Sequence, residues 1–365
     1  MRKRARLYAG PLSWLRFHVL VVVLFLFPAS ACAFLSGDSP EAGALNLYNW
    51  ENYIASGVLE TFQQETGVEV TVTTFSSEEE AMAAVQAAPG RFDLVAASGS
   101  TLQTLLSLKL LAVIERSRLP NLKNLDDEFR SLPFDPEGRY SVPYLWGTTG
   151  VAVNTAHASS TELSWAVLGD PAYAGHTSLL DDPQEAFSAA LKSLGASGNS
   201  SDAPALEQAS QRLGQWADNG LRFLNPTETI DLLAAGDLWA AQAYNGDALV
   251  ASQGNADVRY ALPQEGPLLW IDNWVMPVDA PNKADAYKFL DYLLRTDVMV
   301  LNSQELFYAS PSSAARALVK PEVAMDPAVY VPEELLAQGE FYAERSVEAN
   351  RFINRAWADL RRTGD

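Results

Sequence analysis

Residues 45–97 read LNLYNWENYIASGVLETFQQETGVEVTVTTFSSEEEAMAAVQAAPGRFDLVAA, and the apolar period changes four times within them. Leu45 to Trp50 has strand character. The next stretch sets Val58, Leu59 and Phe62 at helical spacing before Gly67, a residue suited to the left-handed turn that closes a helix. Val68 to Val72 is a second strand, and Ser77 followed by Glu80 has the spacing of a capping box that opens a second helix. Phe92 to Ala96 makes a third strand. This βαβαβ rhythm predicts an α/β protein with a mostly parallel sheet and helices on both faces. Ligands of such sheets sit beyond the carboxyl ends of the strands. Trp50 to Tyr53 and Ser98-Gly99-Ser100 fall at such ends and are candidate cleft-lining residues. Turn chemistry for Ser-Gly-Ser and a hydrophobic anchor for Trp50 are the plainer explanations.

A second series starts farther along. Gly150 to Asn154 reads as a strand, helices are expected near 162–168, 184–194, 203–219 and 227–235, and a Gly/Asn/Ser loop spans 195–202. No internal repeat and no long linker separates two halves, which suggests that the chain crosses between them more than once.

The chain has 365 residues, with 26 Lys and Arg against 45 Asp and Glu. All five charges in the first 31 residues are positive, so the remainder holds 21 basic and 45 acidic residues, a net charge of −24. That balance argues against a nucleic-acid binder, which needs clustered Lys and Arg. An acidic body attracts cations instead. The length after that segment exceeds one comfortable core and suggests two domains of roughly 150 residues.

Arg2 to Arg16 is followed by FHVLVVVLFLF (17–27), Pro28 and Ala29-Ser30-Ala31, the order of a secretory signal. The apolar run is short of the ~20 residues that span a bilayer. Cys32, the sole cysteine, directly follows. Its place resembles the lipobox of bacterial lipoproteins, although Ala29 stands where Leu is usual, and Ala29-x-Ala31 also suits ordinary signal cleavage. Residues 1–31 are expected to leave as a signal peptide. Cys32 is expected to carry a lipid anchor to the membrane, with residues 32–44 as a flexible tether. Without Cys32 the body has neither disulfide nor thiol chemistry.

Enzyme signals are sparse. His18 lies in the signal, and His157 and His176 lack HExxH or paired-ligand spacing and read as surface residues. There is no G-x-S-x-G elbow, Walker loop or G-x-G-x-x-G fingerprint, and no calcium-loop pattern of carboxylates. No catalytic residue, cofactor or metal is expected.

What stands out is carboxylates beside aromatics. Trp270-Ile271-Asp272 puts ring and carboxylate on one face of a strand. A buried Asp272 needs a partner, either an internal Arg or Lys or a cationic ligand. Asp182-Pro183-Gln184-Glu185 reads locally as a helix start, with Asp182 as N-cap. Tyr244-Asn245-Gly246-Asp247 reads as a turn. These features suit a ligand with separated positive charges on apolar stems. Each cation–π contact contributes about 0.5–2 kcal/mol, and a carboxylate ~4 Å from an ammonium gains about 4 kcal/mol at an effective dielectric near 20.

At these residues the sequence resembles the spermidine/putrescine-binding proteins, the extracytoplasmic solute-binding subunits of ABC polyamine importers. The resemblance runs from Leu47-Tyr48-Asn49-Trp50 with Tyr53, through Asp93-Leu94-Val95 and Val142-Pro143-Tyr144-Leu145-Trp146-Gly147, to Leu180-Asp181-Asp182 with Glu185. It continues in Asn245-Gly246, Trp270-Ile271-Asp272 and Ser313-Ala314-Ala315-Arg316. The resemblance implies a two-lobed type II periplasmic-binding-protein fold with a ligand cleft between lobes. Residues 45–147 plus 271–316 would form lobe 1, and 148–270 plus 317–365 lobe 2, with crossings near Gly147-Thr148-Thr149 and Trp270-Ile271-Asp272.

It further implies that Asp182, Glu185 and Asp272 bind amines and that Trp50, Tyr53, Trp270, Tyr308 and Tyr244 frame them. Departures from the family pattern are Glu51 then Asn52 after Trp50, Ser100 where Tyr is common, and Tyr342 where relatives can have Gln. Glu51, Ser100 and Tyr342 are therefore further candidates that bear on ligand length. The expected protein is a non-enzymatic, monomeric binder that passes a polyamine to membrane permease subunits, held outside the cytoplasm by its lipid. The rivals are a binder of another cationic amine or opine-like solute and a ligand-sensing partner of a membrane receptor. A hydrolase lacks its nucleophile–base pair.

Overall fold

The computed structural model describes residues 43–157, 163–343 and 345–363. The signal segment and Cys32 lie outside them. The chain opens with β1 (Ala44–Trp50), α1 (Val58–Thr66), β2 (Glu69–Phe75), α2 (Glu78–Ala87), β3 (Leu94–Ala97) and α3 (Gly99–Ser107). The expected punctuation acts physically here. Gly67 ends α1 in the left-handed region at φ 71°, and the Ser77 side chain accepts from the Glu80 N–H to start α2. Ser98 caps α3 by accepting from the Thr101 N–H.

Next come β4 (Ser141–Asn154), β5 (Thr177–Leu180), α4 (Pro183–Ser193), α5 (Ala203–Asp218), β6 (Arg222–Leu224) and α6 (Pro226–Ala235). They are followed by β7 (Ala240–Tyr244), α7 (Asn245–Gly254), β8 (Val258–Ala261) and β9 (Leu268–Val275). Helices α8 (Lys283–Leu293) and α9 (Thr296–Leu306), the short β10 (Glu340–Phe341) and a C-terminal helix, Val347–Thr363, complete the main elements. The helix expected near 162–168 is a 3-10 turn over Trp165–Gly169, short because Asp170 and Pro171 break it.

The strands form one sheet in the order β2-β1-β3-β9-β4-β7-β5-β6, with β10 on β9 and β8 on β4. Pairing is parallel between β1 and β2, β1 and β3, β5 and β6, β5 and β7, and β9 and β10. The sheet is more mixed than the rhythm of residues 45–97 alone suggests. Every antiparallel pairing between these strands involves β4 or β9. These two long strands run side by side through its middle, with Leu145 opposite Asp272 and Gly147 opposite Trp270. The extra length of β4, which begins at Ser141 rather than Gly150, supplies that seam.

Apolar side chains collect on either side of the seam. One core joins Leu45 to Leu145 with Trp270 to Ala315. Another joins Val151 to Leu268 with Ala349 and Ile353 of the C-terminal helix. A smaller cluster packs α6 and α7 on β7.

Candidate functional site

The carboxyl ends of the strands surround a cavity of about 430 Å³. Trp50 enters it from the end of β1 and Tyr53 from the segment that follows, and Asp182 and Glu185 from the cap and first turn of α4. Tyr244 ends β7, while Trp270 and Asp272 alternate with Ile271 along β9 so that both reach the same cavity. Tyr308 follows α9. Glu51 and Tyr342 also line it, whereas Ser100 stands behind the wall and donates to Glu78 at 3.0 Å. The carboxylate of Glu51 accepts from Thr227 Oγ1 at 3.1 Å.

The rings build a frame. Tyr244, Trp270, Tyr308 and Tyr53 run edge to face, with successive centroids 5.8, 5.0 and 5.6 Å apart. Two glycines allow this approach. A Cβ on Gly147 would stand 2.6 Å from the Trp270 ring, and one on Gly246 would stand 2.6 Å from the Tyr308 ring.

Among the described residues, eight carboxylates and no lysine, arginine or histidine line the cavity. None of the three carboxylates singled out from sequence forms an ion pair with a described residue. Asp272 is only 8% exposed, and burial, then the charge of Glu78, pushes its carboxyl up to about 7. The Tyr53 hydroxyl comes near enough to ease that rise but stands outside hydrogen-bonding geometry and has no partner among the described residues.

Glu185 is 5% exposed and is also raised to about 7, by burial above all. Its partners are neutral: it accepts from Thr149 Oγ1 at 3.2 Å and from Gln242 Nε2 at 3.1 Å. Asp182 caps α4 by accepting from the Glu185 N–H at 2.9 Å. Burial and then the charges of Glu79, Glu78 and Glu185 hold its carboxyl well above the usual range.

Sequence reasoning missed several lining residues. The sequence reads Asp247 as part of a turn, but Asn245 to Gly254 is helix α7 with Tyr244 at its cap. The helix starts here because Asn245 is buried, its Oδ1 accepting from the Thr148 N–H and its Nδ2 donating to the Phe307 carbonyl. Asp247 thus reaches the cavity, accepts from the Tyr308 hydroxyl at 2.7 Å, and is raised by burial to about 6. The three-residue spacing from Tyr244 was the available signal. Phe75, Glu78, Asp231 and Glu305 also line the cavity.

The histidines are elsewhere. His157 and His176 stack on Trp239, with centroids 4.5 and 4.0 Å from it. A hollow of about 460 Å³ beside Arg212 and Trp216 contains none of the residues singled out from sequence. Among the described residues no group of three or more His, Cys, Asp or Glu is placed to hold a metal ion.

The sheet order, the flanking helices and a cleft at the strand ends define the two-lobed type II periplasmic-binding-protein fold. The chain belongs to the bacterial extracellular solute-binding protein family, whose sequence model matches residues 57–331. It acts outside the cytoplasm.

A spermidine/putrescine-binding periplasmic protein of Salmonella typhimurium is 35% identical over 315 residues, covering 86% of this chain and 90% of the relative. A putrescine-binding periplasmic protein of Escherichia coli is 32% identical over 88% of this chain and 92% of its own. A solved structure of a putative spermidine/putrescine ABC transporter from Listeria monocytogenes superposes with a TM-score of 0.83 at 29% identity, over 87% of this chain and 99% of that one.

Proposed function

We propose that the protein captures a polyamine of the putrescine/spermidine class and delivers it to the permease of an ABC importer. The observation that carries this reading is the composition of the cavity wall among the described residues: eight carboxylates, a frame of aromatic rings and no positive side chain. Asp272 anchors one ammonium, and Asp182 with Glu185 neutralises another. Trp50, Trp270 and Tyr308 clamp the methylene chain between them. Micromolar affinity corresponds to about 8 kcal/mol, which two charged contacts and buried methylenes at roughly 0.8 kcal/mol each supply after ordering losses. The names of the Salmonella and Escherichia coli relatives support the same substrate class. An opine-like solute, which carries its own carboxylate, would meet repulsion from this wall.

In this reading residues 45–147 plus 271–316 form one lobe and 148–270 plus 317–365 the other, and they close on the ligand. The adjacent crossings in β4 and β9, and the separate apolar cores on each side, support the breaks after 147 and 270. Residues 1–31 leave as a signal and Cys32 carries the lipid; the support for both is the sequence, since Cys32 lies outside the described residues.

Titration calorimetry of a Cys32→Ser protein without residues 1–31 tests the substrate. Heats of binding for putrescine or spermidine with none for neutral amino acids are expected, and polyamine silence beside tight binding of another solute rejects the reading. Incorporation of labelled palmitate that survives Cys32→Ser would reject the anchor.

A further inference from the structure

The N-terminus of α2 is capped without Glu78. Ser77 Oγ accepts from the Glu80 N–H at 3.2 Å, and Glu80 Oε2 accepts from the Ser76 N–H at 2.9 Å. Glu78 lines the cavity instead. Its Oε2 accepts from Ser100 Oγ at 3.0 Å, and Ser100 Oγ lies 2.9 Å from Ser98 Oγ. A pair of hydroxyls at the start of α3 thus fixes a carboxylate at the start of α2.

Asp182 and Glu185 belong to a different wall. Helix α2 packs Ala81 and Val85 into the first core, whereas α4 packs Ala186 and Phe187 into the second. The charge of Glu78 nevertheless bears on Asp182, Glu185 and Asp272 alike. Two side chains that are 8% exposed also line this cavity, Tyr53 and Trp270, and their hydroxyl and indole N–H have no partner among the described residues. Arg345, the guanidinium beyond Tyr342, donates to Ser188 Oγ at 2.8 Å and to the Gly198 carbonyl, and does not pair with the acids.

We propose that Glu78 is a ligand-facing carboxylate which, with Asp182 and Glu185, brackets one ammonium group from opposite walls, so that closing of the cleft depends on the ligand's positive charge. The inference rests on the polyamine reading above and deepens it. A primary ammonium has three N–H donors, one for each of the three carboxylates. Like charges on facing walls oppose their approach, and a cation between them adds attractions to both walls that outweigh the repulsion. A neutral solute brings no such reversal, and a ligand moves the open–closed equilibrium only by its differential affinity for the two states. Glu78 therefore acts as a specificity determinant for cations as well as a contact.

Calorimetry comparing the wild-type protein with Glu78→Gln, which keeps an acceptor for Ser100, tests the bracket. Binding of putrescine and spermidine is expected to weaken about tenfold or more, the loss of a charge-assisted hydrogen bond, while the ligand-free melting temperature is no lower than wild type. Small-angle scattering of ligand-free Glu78→Gln is expected to give a smaller radius of gyration than ligand-free wild type. Affinity within about twofold of wild type, below the effect of even a neutral hydrogen bond, overturns the ligand contact. An unchanged or larger radius overturns the link between charge and closing.

If Glu78→Gln does not fold, Ser100→Ala keeps the charge but releases its tether. Its expected loss is about two- to tenfold, and no loss overturns the proposal. Wild-type protein that binds neither amine removes the polyamine reading and this inference with it, a result distinct from an unchanged Glu78→Gln.

Discussion

Replacing Asp272 by asparagine removes a charge from a wall that holds no opposing cation. Amine affinity is expected to fall by about 1–3 kcal/mol, the range for a charged hydrogen bond, while the ligand-free protein melts no lower than wild type. Calorimetry and a thermal scan read the two effects, and unchanged affinity would take Asp272 out of the site. The raised carboxyls also give pH effects of opposite sign. Asp272 and Glu185 lie near 7 and Asp247 near 6, each above its unfolded value. The folded state therefore binds these protons more tightly than the unfolded one. Their contribution to ligand-free stability is least favourable above about pH 8 and improves as pH falls through 7 and 6 toward the ordinary carboxyl range. Ammonium binding needs the ionised forms, so affinity declines over the same interval. Melting curves and titrations at pH 8 and pH 6 check this, and a parallel trend in both quantities would contradict the assignment.

At the scale of elements, the start of α7 carries more structure than its length suggests. Asn245→Ala would leave the buried Thr148 N–H and Phe307 carbonyl without their side-chain partner. A loss of about 1–3 kcal/mol in urea unfolding is expected, together with a weaker hold on Tyr308, which follows Phe307. An unchanged unfolding midpoint would contradict that role. This helix also marks where the sequence stops being readable.

Strands β1 to β3 and helices α1 and α2 announce themselves through local chemistry: alternation, a capping serine, a left-handed glycine. Asn-Gly is the same kind of local sign and points to a turn, but the burial of Asn245 between β4 and the end of α9 overrides it. The partnership of Glu78 with Ser100 is hidden for a related reason. A glutamate after an N-cap serine is explained by the helix alone, and only the packing of α2 beside α3 turns it toward the cavity. Asp182, Glu185 and Asp272 were legible because each stands beside a ring or a cap in a pattern that the family resemblance carries.

For the whole molecule, the excess of acidic over basic residues is a long-range property that no single contact contains. Encounter with a polyamine is expected to be fast at low salt and to slow several-fold on going from about 20 to 300 mM salt, as the screening length shrinks below the size of the cleft. Stopped-flow tryptophan fluorescence measures it, and a salt-independent association rate would show that the field does not steer the ligand. Saturation adds a second global effect. At a ligand concentration about 100 times Kd, unfolding stability is expected to rise by about 2.7 kcal/mol by mass action, and a melting temperature that ignores putrescine and spermidine would contradict binding to the native state.

The seam of β4 and β9 bears on how such a molecule can move. The two strands are zipped to each other from Ser141 opposite Val275 to Thr149 opposite Leu268, with one irregularity between Pro143 and Leu145. In the proposed closing of the lobes, a ribbon fastened along that length offers no free joint to swivel on, so the motion would be taken up as torsion shared by many peptide units. A torsion spring of this kind recoils to a preferred angle, and stiffening it, for instance at the irregularity beside Pro143, should alter how quickly cargo is let go while leaving its fit untouched.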